Sequence, residues 1–307
     1  MTQSASVADN PLKDIRIGTL VPDQPGIAEY IKALLPHGFE SFSLTFGSGK
    51  EGIDPVRTAE LVKGAIAGHD VVISSLGIYG NPLEDDAEAA LCRKGWEQLI
   101  DNAHLFGTDI VAGFTGRLRD RPIDESLPRY REVFGDLAAR AREKGVRLAF
   151  ENCSMGGNWQ RGDWNIAHNP AAWELMFDVL PDENIGLQWE PCHQMITLID
   201  PMPQLRRWNE RIFHVHGKDA TIHTDVLREY GFAGNRAFAH HRTPGFGDSN
   251  WTEIISELRR HGFRGSIDIE GWHDPVYCGE LEMTGQVYAL NYLKRCRGGE
   301  YAANPQV

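Results

Sequence analysis

No apolar run in this chain of 307 residues approaches the about 18 residues that a membrane span needs. Closely paired cysteines are also missing. The five present (Cys92, Cys153, Cys192, Cys278, Cys296) are odd in number and scattered, which excludes a disulfide framework and fits reduced thiols. The opening stretch MTQSASVADNPLKD lacks the positive start and apolar segment of a signal peptide, so a cytoplasmic location is the expectation. Basic residues are scarce: 31 Lys and Arg face 43 Asp and Glu, giving a net charge of −12. A nucleic-acid partner would have to overcome that repulsion, so none is expected. An anionic ligand would need a local basic pocket or a metal.

What is present is ordinary globular composition, 41% hydrophobic and 24% charged, in a pattern of alternating elements. Short β-rich segments run at Ile15–Leu20, Phe39–Thr45, Asp70–Leu76, Asp109–Gly113, Val146–Glu151, Asn184–Trp189, Ile212–His216 and Gly265–Glu270. Helical periodicity fills the gaps, at Ala87–Phe106, Leu127–Lys144, Ala171–Leu180, Trp251–His261 and Leu281–Arg295. Eight strands alternating with helices predict an α/β fold, a single (β/α)8 barrel. A doubly wound open sheet competes, but no GxGxxG follows the first strand. Residues 14–297 form the expected domain, with tails at 1–13 and 298–307. Two connections, Asn152–Asn169 and Gly217–Asn250, are long and follow strands at the face where barrel enzymes place their sites.

Four late strands end in ligand-type or acid/base residues. Strand five ends in Glu151; strand six continues into Glu190 and His193. Strand seven reads FHVHGKD, with His214, His216, Lys218 and Asp219, and strand eight carries Asp268, Glu270 and His273. Because strand side chains alternate, Gln188 and Glu190 share a face, as do His214 and His216, and Asp268 and Glu270. With those faces turned into the barrel, Glu151, Glu190, His216 and Glu270 converge as three carboxylates and one imidazole. Such a set suits a labile, fairly hard cation. Mn²⁺ is the expected ion, with Mg²⁺, Co²⁺ and Zn²⁺ as alternatives. Without a cation, so many carboxylates buried together would repel. His214, one pleat deeper, reads as structural, and Cys192 as a packed thiol. Arg242, in the segment His241–Asp248, is placed to reach a ligand oxygen. Trp159 and Trp164, in the loop after strand five, are candidate lid residues whose indole faces suit a sugar ring. A hydrophobic plug over the rim is the alternative for both.

These residues carry a resemblance. Glu at the end of strand five, an acid-x-x-His on strand six, HxKD on strand seven and Glu on strand eight resemble the motif of the xylose-isomerase-like sugar isomerase/epimerase superfamily. That superfamily includes ketose 3-epimerases, inosose-processing enzymes and an abasic-site endonuclease branch. The resemblance spans about residues 15–296. It implies that Glu151, Glu190, His216 and Glu270 bind the metal, that His193 and Arg242 contact substrate, and that Glu151 and Glu270 serve as the acid/base pair. Lys218, inside the same motif, is a further candidate substrate contact. The family usually has Asp where this chain has Glu190, and the connection after strand seven is enlarged, which hints at a bulkier substrate such as a glycoside. The implied function is proton abstraction next to a carbonyl, in isomerisation or epimerisation of a keto sugar. The alternative is a lyase that cleaves a 3-keto-glycoside together with a small partner subunit. A non-catalytic sugar-binding barrel or a structural partner subunit remain further readings. A homo-oligomer is expected, or a hetero-oligomer in the lyase case.

Overall fold

A computed structural model describes residues 10–47 and 53–305. Strands β1 (Ile15–Pro22), β2 (Ser41–Gly47), β3 (Val72–Tyr79), β4 (Ile110–Gly113), β5 (Arg147–Glu151), β6 (Ile185–Trp189) and β7 (Ile212–Gly217) follow in order around a barrel. Next come β8 (Asp219–Ile222) and β9 (Ala239–Arg242), and then β10 (Gly265–Ile269). The barrel is closed and parallel, with β10 inserted between β7 and β1. It is the expected (β/α)8 barrel. β8 and β9 stand outside it as a two-stranded antiparallel ribbon. Helices α1 (Ile27–Leu34), α2 (Pro55–Ile66), α3 (Ala87–Phe106), α4 (Ile123–Glu143), α5 (Pro170–Val179), α6 (Cys192–Met195) and α7 (Pro201–Trp208) run through the first six crossings. After them come α8 (Thr224–Tyr230), α9 (Trp251–Arg260) and α10 (Glu282–Cys296).

All eight strands read from the sequence form, within a few residues of their expected bounds. The third is shifted furthest, running to Tyr79 where Leu76 was the expected end. Gly77 lies within the strand, where a Cβ would come 2.8 Å from the Tyr79 ring. α3 occupies the expected span because both ends are written locally. Asp86 accepts from the Ala89 amide at 2.8 Å, and Gly107 takes the left-handed conformation that stops the helix. α4 begins a turn before its expected start, with Asp124 and Glu125 in its first turn and Pro128 inside it. The connection 217–250, expected as a long loop, is instead the β8–β9 ribbon with α8 between its strands.

Outward-facing strand residues such as Leu148, Phe150, Leu187, Ile267 and Ile269 pack under the helices in one core. An edge-to-face aromatic group of Trp96, Tyr130, Phe134 and Phe150 fills it between α3, α4 and β5. Of the two expected tails, residues 1–9 and 306–307 lie outside the described residues. Residues 11–14 form a helical turn in which Lys13 pairs with Asp70 and Asp14 with Arg259.

Candidate active site

Inward-facing positions carry polar side chains in two layers near the C-terminal ends of the strands. In the lower layer Asp268 accepts from the hydroxyls of Ser41 and Ser74, each at 2.6 Å, and from His214 Nε2 at 2.6 Å. The Gln188 amide reaches His214 Nδ1 at 3.0 Å, and its oxygen accepts from the Tyr79 hydroxyl at 2.7 Å. With Nε2 donating to the carboxylate and Nδ1 accepting, the His214 tautomer is set by its partners. Satisfied on both nitrogens, His214 is committed to the barrel interior.

One pleat higher, Glu151, His216 and Glu270 meet. One ligand atom from each lies within 4.8 Å of the others, and all three residues are buried. Glu270 Oε1 accepts from Lys218 Nζ at 2.6 Å and lies 3.1 Å from His273 Nδ1. Glu270 Oε2 approaches His216 Nδ1 at 3.3 Å, outside good hydrogen-bond geometry. That oxygen and both nitrogens of His216 are buried with no hydrogen-bond partner. Orphaned buried atoms of this kind call for a partner, and a cation among them would supply one. Two carboxylates and an imidazole, each with a ligand atom within 4.8 Å of the others, fit a divalent cation.

Glu190, the fourth expected ligand, lies outside this group. Its carboxylate accepts from the His193 amide at 3.0 and 3.2 Å, at the start of α6. Asn152 clamps its backbone, accepting from the Glu190 amide at 2.8 Å and donating to its carbonyl at 2.9 Å. The arm of Glu, longer by one methylene than Asp, lets the carboxylate fold back onto the turn. His193 Nε2 lies 3.2 Å from Lys218 Nζ, and its buried Nδ1 has no partner.

Burial and this crowding of charge displace the proton affinities. Glu151 is pushed well above the usual carboxylate range by burial and then by Glu270. Burial also acts to raise Glu270, but the Lys218 ammonium and the His216 and His273 imidazoles outweigh it and hold Glu270 well below. Glu190 is raised to about 8 by burial, against the opposing pull of Lys218. Lys218 is buried, yet its three carboxylate neighbours keep it charged. His193 is kept neutral by burial and by Lys218.

The upper layer opens into a cavity of about 620 Å³ whose walls include Glu151, His193, His216, Lys218 and Glu270. Several other wall residues drew no attention in the sequence. Tyr79 ends β3, Cys153–Gly156 lie early in the connection after β5, and Trp272 comes two residues after Glu270. His241 comes from β9. Its ring lies 5.1 Å from that of His193. Arg242, expected to meet the ligand, is the next residue of the same strand and points to the opposite face. There it donates to Asp274 at 2.9 Å and lies over the Phe246 ring. Trp159 and Trp164 do not line the cavity. Trp159 packs against the core, and Trp164 is exposed further along the connection. Their loop is pinned instead by buried Arg117, which donates to the carbonyls of Asn158, Trp159 and Arg121. The visible signal for Trp272 was its place two residues beyond a candidate ligand at a strand end.

Over 230 residues the chain is 29% identical to the rhizopine catabolism protein MocC of Rhizobium meliloti, matching 71% of this chain and 64% of that protein. An inosose dehydratase of Bacillus velezensis is 31% identical over 114 residues, 36% of this chain and 38% of the enzyme. The chain thus spans less than two-thirds of these curated relatives. Among solved structures, 3-keto-D-glucoside 4-epimerase YcjR from E. coli superposes with a TM-score of 0.69 at 18% identity, covering 92% of this chain and all of that one. An L-ribulose 3-epimerase gives 0.64 at 17% identity, covering 92% of each chain. At such identities the structural likeness is one of fold. A family model extends the relationship along nearly the whole barrel: it matches residues 31–296, and the chain belongs to the xylose isomerase-like TIM barrel family.

Proposed function

We propose that the protein is a divalent-metal-dependent enzyme that removes a proton from carbon next to the carbonyl of a keto sugar or related polyol, in an isomerisation or epimerisation. The observation that carries this reading is the buried Glu151–His216–Glu270 group on the cavity wall, with buried His216 and Glu270 atoms that have no hydrogen-bond partner. A divalent ion held there would polarise the carbonyl and adjacent hydroxyl oxygens, as a Lewis acid does. Glu151 and Glu270 stand on strands three places apart around the barrel, with proton affinities displaced in opposite directions. Such a pair suits one group taking a proton while the other gives one. Glu151 and Glu270 are the acid/base pair, both ionised where they would hold the ion. The Lys218 ammonium, fixed between Glu270 and His193, faces the oxygen on which charge develops. Neutral His193, on the cavity wall, is the residue to orient a substrate hydroxyl.

A second reading, elimination of water or an aglycone after the same first step, is supported by the imidazoles of His193, His241 and His273 along one wall, where a leaving group would need a proton. The inosose dehydratases among the relatives agree with it. The test is to strip the protein with chelator, reload it with Mn²⁺, and incubate it with keto sugars and inososes in deuterated water. Metal-dependent deuterium incorporation is expected. A new conjugated-enone absorbance would assign elimination, and its absence with washed-in deuterium would assign isomerisation. A protein that binds no divalent ion and exchanges no proton would refute both.

A further inference from the structure

A second cavity, of about 310 Å³, adjoins the first and shares Leu20, Thr45 and Trp272 with it. The indole of Trp272, 43% exposed, therefore borders both spaces. The side cavity lies where the end of β1 meets α1 and the start of α10, away from the connections after β5 and β7. Its other walls are Pro22, Gln24, Tyr30, Glu282 and Gln286, four of which bring a polar group to an otherwise largely apolar lining. This polar wall is built rather than incidental. Gln286, 3% exposed, accepts from the Thr19 hydroxyl at 2.5 Å and donates to Glu282 Oε1 at 3.0 Å. One carboxylate oxygen of Glu282 is thereby fixed in direction. Gly271 lets the β10 end approach closely, since a Cβ there would come 2.9 Å from Gln286. Tyr30, half-buried beside Glu282, stays a neutral phenol because burial and that carboxylate both oppose its ionisation.

We infer that the side cavity is a subsite for a second, hydroxylated ring, so that the substrate is a two-ring glycoside whose keto ring reacts at Glu151, His216 and Glu270. The inference rests on the reading of the main cavity as a keto-sugar site. Pockets for drug-sized ligands run to roughly 300–1,000 Å³, and one hexose is smaller than such ligands. A single ring would leave the Trp272 side unfilled. An indole presents a flat apolar face to the C–H face of a sugar, while the phenol of Tyr30, the amide of Gln24 and the carboxylate of Glu282 are the acceptors and donors that ring hydroxyls need. Trp272 then serves as the platform at the junction between the rings.

The experiment is a binding titration on the Mn²⁺-loaded protein, followed by calorimetry. The one-ring probes are 3-keto-glucose and its methyl glycoside; the two-ring probes are 3-keto-lactose, 3-keto-maltose and 3-keto-sucrose. At least one two-ring probe should bind at least tenfold more tightly than 3-keto-glucose. Glu282→Gln and Tyr30→Phe, which keep the shape of the wall, should each reduce that preference severalfold and leave one-ring binding within twofold. Thermal melting of both variants checks that the fold is kept. One-ring probes that bind as tightly as every two-ring probe would overturn the subsite and leave the main-cavity reading standing. So would a two-ring preference untouched by both variants. Failure of every keto sugar to bind to protein of full metal content would overturn the main-cavity reading, and the subsite with it.

Discussion

Glu270 bears on every neighbour in the upper layer, so substitutions around it separate the roles. Glu270→Gln keeps the shape and removes the charge that faces Lys218, His216 and His273. Metal content measured by mass spectrometry should fall, and exchange of substrate protons with solvent should drop by roughly 10²–10⁴-fold, the usual contribution of a positioned acid or base. His193→Ala should behave differently. It touches Lys218 and the turn at α6 but lies outside the three-residue group, so metal content should hold while kcat or KM worsens. Loss of metal in His193→Ala equal to that in Glu270→Gln would place it among the ligands. Three of the four ligands expected at strand ends do converge, because alternation along a strand is a local property. The sequence could not show the rotamer of Glu190, which depends on Asn152 from the neighbouring strand end and on the amide of His193. Nor could it separate His241 from Arg242, adjacent residues on a ribbon whose existence was not read.

At the scale of elements, what shapes the cavity is held by a few buried polar clamps. Asp219, just beyond β7, accepts from the Ala220 and Ser249 amides and the Trp251 indole, tying the ribbon to the start of α9. Gly247 packs directly on that carboxylate and on the Ala220 carbonyl. Gly247→Ala should therefore cost about 1–3 kcal/mol, as overpacking does, and displace His241; a lowered melting temperature with weakened substrate binding is the expected pair of readouts. Arg117 performs the same service for the connection after β5. Arg117→Met would leave buried carbonyls unpaired, at about 1–3 kcal/mol, and faster proteolytic cleavage within residues 152–169 should report the freed loop. Both long connections were legible as long, but not as ordered. Arg117, 41 residues before Asn158, orders one, and the bonds from Asp219 to Ser249 and Trp251 join the two ends of the other.

For the molecule as a whole, acid should be the damaging extreme. His168 is buried and its affinity for a proton is lowered from 6.5 to about 4, by burial and then by Arg117. The unfolded chain therefore binds the proton first. The stability due to neutral His168 is complete above pH 6.5 and is lost as pH falls toward 4. Glu40 adds to this lower down. Burial acts to raise its proton affinity, but Arg297, donating to both of its oxygens, outweighs it and holds Glu40 below 4.5. Its contribution is present above 4.5 and disappears as pH drops through the lowered value. Melting temperatures between pH 7 and 3 should fall in two stages, and His168→Gln should flatten the first. An unchanged slope between pH 6.5 and 4 in that variant would show that His168 is not the group responsible. The closing of the ring has a consequence for biosynthesis. Glu270 follows β10, the last of the barrel strands in chain order and the one that joins β7 to β1. Until it docks, Glu151 and His216 face an open seam with no third donor. Capture of the ion should therefore mark the end of assembly, and a nascent chain stalled before residue 265 should not hold it.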